Sequence, residues 1–123
     1  MTIARQELGI LGEELAVREL GRLGYAILAR RYRTPCGEID IVADDRGTLV
    51  FVEVRARENA EFGTAAESVT PAKQRQVIRM ARDYLTREGV EGKPCRFDVV
   101  AIMFEGASPD IEVFENAFDA STS

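Results

Sequence analysis

Histidine is absent from the 123 residues, and lysine is nearly so, with Lys73 and Lys93 its two examples. The first absence removes His-based acid–base chemistry, including Ser-His-Asp and Cys-His schemes. An enzyme built on this chain must work with carboxylates, Lys/Arg or a metal. There are two cysteines, Cys36 and Cys95. Without histidine they cannot complete a common structural zinc site, and they read as free thiols that mainly pack. No apolar run approaches the roughly 20 residues needed to span a bilayer. The first residues, MTIARQELGILGEE, carry Glu7, Glu13 and Glu14 and have no apolar h-region, so no signal peptide is expected. The expectation is a cytoplasmic protein with no membrane partner. No G-x-G-x-x-G, no P-loop, no internal repeat and no low-complexity linker is present, which argues against a nucleotide cofactor.

What is there is ordinary for a folded domain: 46% hydrophobic and 30% charged residues. The length fits one domain, read as 1–118 with a frayed tail at 119–123. Net charge is −5, which at first argues against a polyanionic partner. Its distribution softens that objection. Residues 105–123 hold Glu105, Asp110, Glu112, Glu115 and Asp119 and no Lys or Arg, so residues 1–104 are balanced at 16 acidic and 16 basic.

Leu8, Leu11, Leu15, Ala16, Leu20 and Leu23 recur at three- and four-residue steps and predict a helix over 2–23, stopped at Gly24. Glu14 lies one turn before Arg18 and reads as its solvent-facing partner. Tyr25 to Tyr32 has mixed β character, and Thr34-Pro35-Cys36-Gly37 is turn punctuation. GEIDIVA and TLVFVEVRAR then read as two strands around a DDRG turn, a hairpin at the centre of a sheet. Residues 58–70, with Gly63, read as a loop. Thr70 as N-cap and Pro71 in the first turn open a second helix, to about Glu88, with Val77, Met80, Ala81, Tyr84 and Leu85 on its apolar face. Gly89 and Gly92 end it. Arg96 to Phe104 is a further strand, and Ile111 to Phe114 a weaker one, with fraying expected after Asn116. The fold class is α/β, a central mixed β-sheet flanked by α-helices.

Asp40 and Glu53 each sit mid-strand in apolar runs, where a carboxylate destabilises unless it is paired or binds a metal. An even-numbered hairpin loop would set Asp40 opposite an odd-numbered residue such as Phe51. Asp40 and Glu53 would then share a face as near neighbours. Arg55 shares Glu53's face, two residues on. An Asp on one strand and Glu-x-Arg on the next is close to the D…(D/E)-x-K pattern of metal-dependent nucleases. Two carboxylates hold Mg²⁺ (or Mn²⁺) against a phosphate oxygen, the metal activates a water, and the cation stabilises developing charge. Asp98, in RFDVVAI, reads as a sheet-buried acid bonded to a nearby Arg.

GEIDIVA, FVEVRAR, FGTAAESVTPAKQ and CRFDVV together resemble the YraN family of small bacterial proteins, from about Gly9 to Phe118. That family is considered similar to archaeal Holliday-junction resolvases and to the restriction-endonuclease-like superfamily. The resemblance implies a restriction-endonuclease-like fold and a Mg-dependent endonuclease. Its helix signature, here Gly9-x-x-Gly12-Glu13-x-x-Ala16-x-x-x-Leu20, adds Glu13 as a third carboxylate. Glu13 also borders the apolar stripe of its helix. The implied site is Glu13, Asp40, Glu53 and Arg55 as catalytic residues, with metal held by Glu13, Asp40, Glu53 and the Val54 carbonyl. Arg55 stands where the superfamily has lysine, and Arg cannot serve as a general base near neutral pH. Lys73 either reaches toward the site or is a solvated first-turn residue. Arg33, Arg57, Lys73, Gln74 and Arg75 are candidate nucleic-acid contacts, and Glu38 is either a supporting acid or a strand-start residue. Resolvases of similar fold act as dimers, which raises a homodimer as an expectation. Two alternatives to cleavage stay open: a nucleic-acid-binding module that does not cut, and a protein-interaction module.

Overall fold

The structure is a computed structural model, and it describes residues 5–58 and 69–119. Seven elements follow in order: α1 (Arg5–Arg22), β1 (Ala26–Thr34), β2 (Gly37–Asp45), β3 (Thr48–Arg57), α2 (Pro71–Glu88), β4 (Cys95–Met103) and β5 (Asp110–Phe118). The five strands form one sheet in the order β1-β2-β3-β4-β5. All neighbours are antiparallel except β3 and β4, which run parallel over nine pairs from Leu49↔Cys95 to Arg57↔Met103. A parallel pair needs a crossover connection, and α2 lies within it. The 58–70 loop, with Gly63, falls almost wholly outside the described residues, as do residues 1–4 and 120–123.

β3 is buried on both faces because a helix covers each side. α2 packs Val77, Ile78, Met80, Ala81 and Tyr84 against Val42, Leu49, Phe51, Phe97, Val99 and Phe118. α1 packs Ala16 and Leu20 against Ile41, Ala43, Val50, Val52, Val100 and Ile102. The buried line on α1 is Leu8, Gly12, Glu13, Ala16 and Leu20. Leu11 and Leu23, expected inside, are exposed. The line shifts by one residue because Gly12 lets the helix come close to the sheet: a Cβ there would stand 2.8 Å from Ala56 Cβ.

α2 begins and ends where its caps place it. The Thr70 hydroxyl accepts from the Lys73 N–H at 3.2 Å, Pro71 opens the helix, and Gly89 closes it at φ 66. Two corrections concern strands. β1 is a full edge strand of nine residues, which makes the hairpin part of a three-stranded meander. β5 does not fray after Asn116 but continues to Phe118, whose ring stacks on Phe97 at 5.1 Å between centroids. A buried aromatic pins the strand end that composition alone made look weak. Both cysteines are free, as expected, but exposed rather than packed.

Candidate metal and phosphate site

The hairpin turn sets the site. β2 and β3 are joined by Arg46 and Gly47, both at positive φ (54° and 95°), the backbone of a tight two-residue hairpin loop. Asp44 steadies it by accepting the Gly47 N–H at 2.8 Å. With two loop residues, Phe51 falls opposite Val42 and Val52 opposite Ile41. One further step in that register sets Asp40 against Glu53.

At that step the two strands part. β2 continues to pair with β1 as far as Thr34↔Gly37, and β3 continues with β4, but the β2–β3 ladder stops at Ile41↔Val52. A side chain takes over where the main-chain ladder ends: Asp40 Oδ2 accepts the Val54 N–H at 2.8 Å. Val54 thus meets the site through its N–H. Glu53, 1% exposed, points to the α2 side. Its Oε2 lies 3.7 Å from Arg55 Nη2 and 3.8 Å from Lys73 Nζ. Lys73 therefore reaches the site from the first turn of α2. Gln76 holds it there, accepting from Lys73 Nζ at 3.2 Å while donating to the Cys36 carbonyl at 2.8 Å.

The electrostatics follow from burial. Desolvation, and then the charge of Asp40, push Glu53 up to about 7, with Lys73 and Arg55 opposing. Desolvation also raises Asp40; the Val54 N–H, Arg55 and Lys73 oppose it, and Glu13 adds to the rise. Among the described residues, two buried atoms here have no hydrogen-bond partner: Glu53 Oε1 and Arg55 Nε.

Glu13 is buried at 7% exposure, but its carboxylate is committed elsewhere. It accepts from Arg31 Nε at 3.1 and 3.2 Å and lies 3.4 Å from Arg30 Nη2. Arg31 adopts φ 51, unusual for a side-chain-bearing residue and worth about 1–3 kcal/mol of local strain. That backbone turn lets Arg30 and Arg31, adjacent in β1, both reach α1. Glu14 pairs with Arg30 at 2.7 Å, not with Arg18 as its spacing suggested. Among the described residues, no three acidic or cysteine side chains stand close enough together to hold a metal ion.

The remaining candidates divide. Arg33 is exposed and pairs with Glu38 at 2.7 Å, which also makes Glu38 a strand-start partner. Arg57 lies at the end of β3 and is half-buried. Gln74 turns inward, donating to the Val69 carbonyl at 3.0 Å. Arg75 is exposed. Asp98, 0% exposed, is paired as expected, with Arg96 at 3.0 Å. It also accepts the Asn116 N–H and lies 3.3 Å from the Tyr25 hydroxyl, so it belongs to a separate, satisfied network.

Comparison with known proteins bears on the same residues. The model of the uncharacterised protein family UPF0102, the YraN family, matches residues 12–102. The chain belongs to this family. A UPF0102 protein of Desulfosudis oleivorans is 47% identical over 117 residues, covering 95% of this chain and 94% of the relative. One from Pelotomaculum thermopropionicum is 47% identical over 120 residues, covering 96% and 100%. One from Geobacter sulfurreducens is 48% identical over 113 residues, covering 91% and 88%. The matched UPF0102 segment contains Glu13, Asp40, Glu53, Arg55 and Lys73 and stops before β5. Gln76 is the site residue that sequence reasoning missed. Its one sequence signal was its place three residues after Lys73, on the same helical face.

Among the described residues no helix is long and apolar enough to cross a membrane.

Proposed function

We propose that this chain is a metal-dependent nuclease hydrolysing nucleic-acid phosphodiester bonds, DNA being the favoured substrate, on a fold of the restriction-endonuclease-like kind. The observation that carries the reading is a pair of buried atoms two residues apart with no hydrogen-bond partner among the described residues: Glu53 Oε1, an acceptor, and Arg55 Nε, a donor. A buried orphan acceptor is satisfied by a cation and a buried orphan donor by an anion. A divalent cation and a phosphate together supply both.

The residues present fit such a cation. Mg²⁺ is commonly bound by one or two carboxylates, with waters and substrate phosphate completing its shell, so Asp40 and Glu53 suffice without a third. The donors are oxygens, which suit Mg²⁺ and Mn²⁺ alike. When bound, the ion supplies Lewis-acid polarisation and lowers the pKa of water. The chain's own residues do the rest. The Val54 N–H fixes Asp40, and Arg55 offers a permanent positive charge to a phosphate oxygen. Lys73, oriented by Gln76, is the cation there able to give up a proton, from Nζ to a departing oxygen. Glu13 stands one layer out, its charge bearing on Asp40 while Arg30 and Arg31 hold it in place.

The test is cleavage of labelled duplex, single-stranded, flap and four-way-junction DNA, and of RNA, with Mg²⁺, Mn²⁺ or EDTA. Glu53→Gln and Asp40→Asn are run beside the wild type. Metal-dependent product from the wild type alone is expected, and product from both variants would overturn the reading. A second reading, a nucleic-acid-binding module that does not cut, draws on the commitment of Glu13 to two arginines and on arginine at position 55. It expects a salt-sensitive gel shift with no product.

A further inference from the structure

Several arginines of this chain pair with carboxylates: Arg22 with Glu19, Arg30 and Arg31 with Glu13, Arg33 with Glu38, Arg55 with Glu53, Arg87 with Asp83 and Arg96 with Asp98. Three on α2 do not. Arg75, Arg79 and Arg82 are exposed, and their guanidinium groups have no hydrogen bond or ion pair among the described residues. Their spacing of four and three residues puts them on one helical face, the face turned away from the sheet. Asp83, four residues after Arg79, is the natural helical partner for it, yet lies 3.0 Å from Arg87 and 3.4 Å from the Tyr32 hydroxyl instead. Like charges at these spacings repel and weaken a helix. They stand on a chain whose net charge is −5, so their clustering is not a by-product of a basic composition.

The row also has a direction. α2 starts at the site, where Lys73 Nζ lies 3.8 Å from Glu53. Arg75 is two residues further on, and Arg82 lies about 10 Å along the axis from Arg75. A helix of radius about 2.3 Å with long side chains can hold such a row against a curved, evenly charged surface. The sugar–phosphate backbone of a duplex is that surface, and guanidinium groups recognise its oxygens bidentately.

We propose that Arg75, Arg79 and Arg82 form a backbone-binding ridge that seats duplex DNA on the outer face of α2, the helix whose first turn carries Lys73. This inference rests on the nuclease reading for its substrate class. The ridge contacts phosphates, so it contributes affinity and orientation without base preference.

The experiment is fluorescence anisotropy of a labelled duplex DNA in EDTA, from about 50 to 300 mM salt. It compares wild type, the Arg75→Ala/Arg79→Ala/Arg82→Ala triple variant, and the corresponding triple Lys variant. Polyglutamate serves as competitor, and cleavage is followed separately with Mg²⁺. Each lost phosphate contact lowers the slope of log K against log salt by about 0.9, so the alanine variant should lose nearly three units. Its affinity should fall at least about tenfold at 100 mM salt, with the lysine variant close to wild type and a melting temperature no lower than wild type in both. An unchanged slope in the alanine variant, with DNA still bound, overturns the ridge whether or not the wild type cuts. A lost slope without cleavage upholds the ridge and removes the nuclease. Polyglutamate displacing DNA at equal charge concentration overturns the assignment in favour of an acidic protein partner. No binding by the wild type at 50 mM salt overturns it outright.

Discussion

Asp40 Oδ2 stands 2.8 Å from the backbone nitrogen of Val54, and this side-chain bond takes the place of the main-chain ladder where β2 leaves β3. The sheet can thus open at its middle without stranding the Val54 N–H, which would otherwise be an unsatisfied buried donor. The hairpin register sets Asp40 against Glu53, and at that step no β2–β3 ladder bond joins them.

Glu53 makes stability depend on pH in the metal-free protein. Its folded pKa is raised from 4.5 to about 7 by burial and by Asp40. Between those values the folded state binds more protons than the unfolded state, so stability falls as pH rises through that window and levels off above it. The loss is on the order of 3 kcal/mol at most. Urea unfolding in EDTA at pH 5, 6, 7 and 8 should show Glu53→Gln gaining on the wild type across the series. A constant difference would refute it. Added Mg²⁺ should stabilise the wild type more at pH 8 than at pH 5, because metal and proton compete for the carboxylate.

Gly12→Ala should destabilise although alanine is the better helix former. The new Cβ would meet Ala56 Cβ at 2.8 Å and Ile102 Cδ1 at 3.6 Å, and the first of these cannot swing away. Overpacking of this kind costs about 1–3 kcal/mol, more than the gain of about 1 kcal/mol in helix propensity. A thermal melt should show a lower transition temperature, and an equal or higher one would mean that α1 rides further from the sheet.

Asp98→Ala separates architecture from chemistry. It removes the carboxylate that pairs Arg96 and accepts the Asn116 N–H, leaving a partly buried guanidinium with Asp45 as its remaining carboxylate and the Asn116 N–H without its acceptor. Leaving such a donor unsatisfied costs about 1–3 kcal/mol. Denaturant unfolding should register that loss. Below the melting point, any DNA binding should match the wild type, since the Asp98 network is separate from Glu53 and Lys73.

Much of this was legible beforehand for concrete reasons. Thr70, Pro71 and Gly89 bound α2 because each supplies a local geometry that needs no tertiary help. The parity of Asp40 and Glu53 followed from a loop of two residues. Other features depend on partners distant in sequence. Whether Lys73 reached Glu53 or water depended on the crossover that seats α2. The pairing of Glu14 with Arg30 needed β1 to be a strand beside α1, and β1 is an edge whose apolar run, Ala26 to Ala29, gives way to arginines without the alternation of a half-buried strand. The turn of Arg31 to positive φ has no glycine to announce it.

Phe118 tests the strand end that composition undervalued. Its ring is buried and stacks on Phe97, which in turn stacks on Phe51 at 5.7 Å. Phe118→Ala should cost about 3 kcal/mol. Equilibrium unfolding that moved by less than about 1 kcal/mol would return the chain end to the status of a loose tail.

The parallel seam between β3 and β4 has a kinetic meaning. It joins residues 46 apart, as in Leu49↔Cys95, while the β1–β2–β3 and β4–β5 pairings close over much shorter stretches. Two locally folded halves must find each other across the α2 crossover before the centre of the sheet exists. Loop-closure entropy is met at that moment, so assembly of the seam is expected to set the pace of folding. The halves it joins are also the ones that carry Asp40 and Glu53 on one side and most of the Asp98 network on the other.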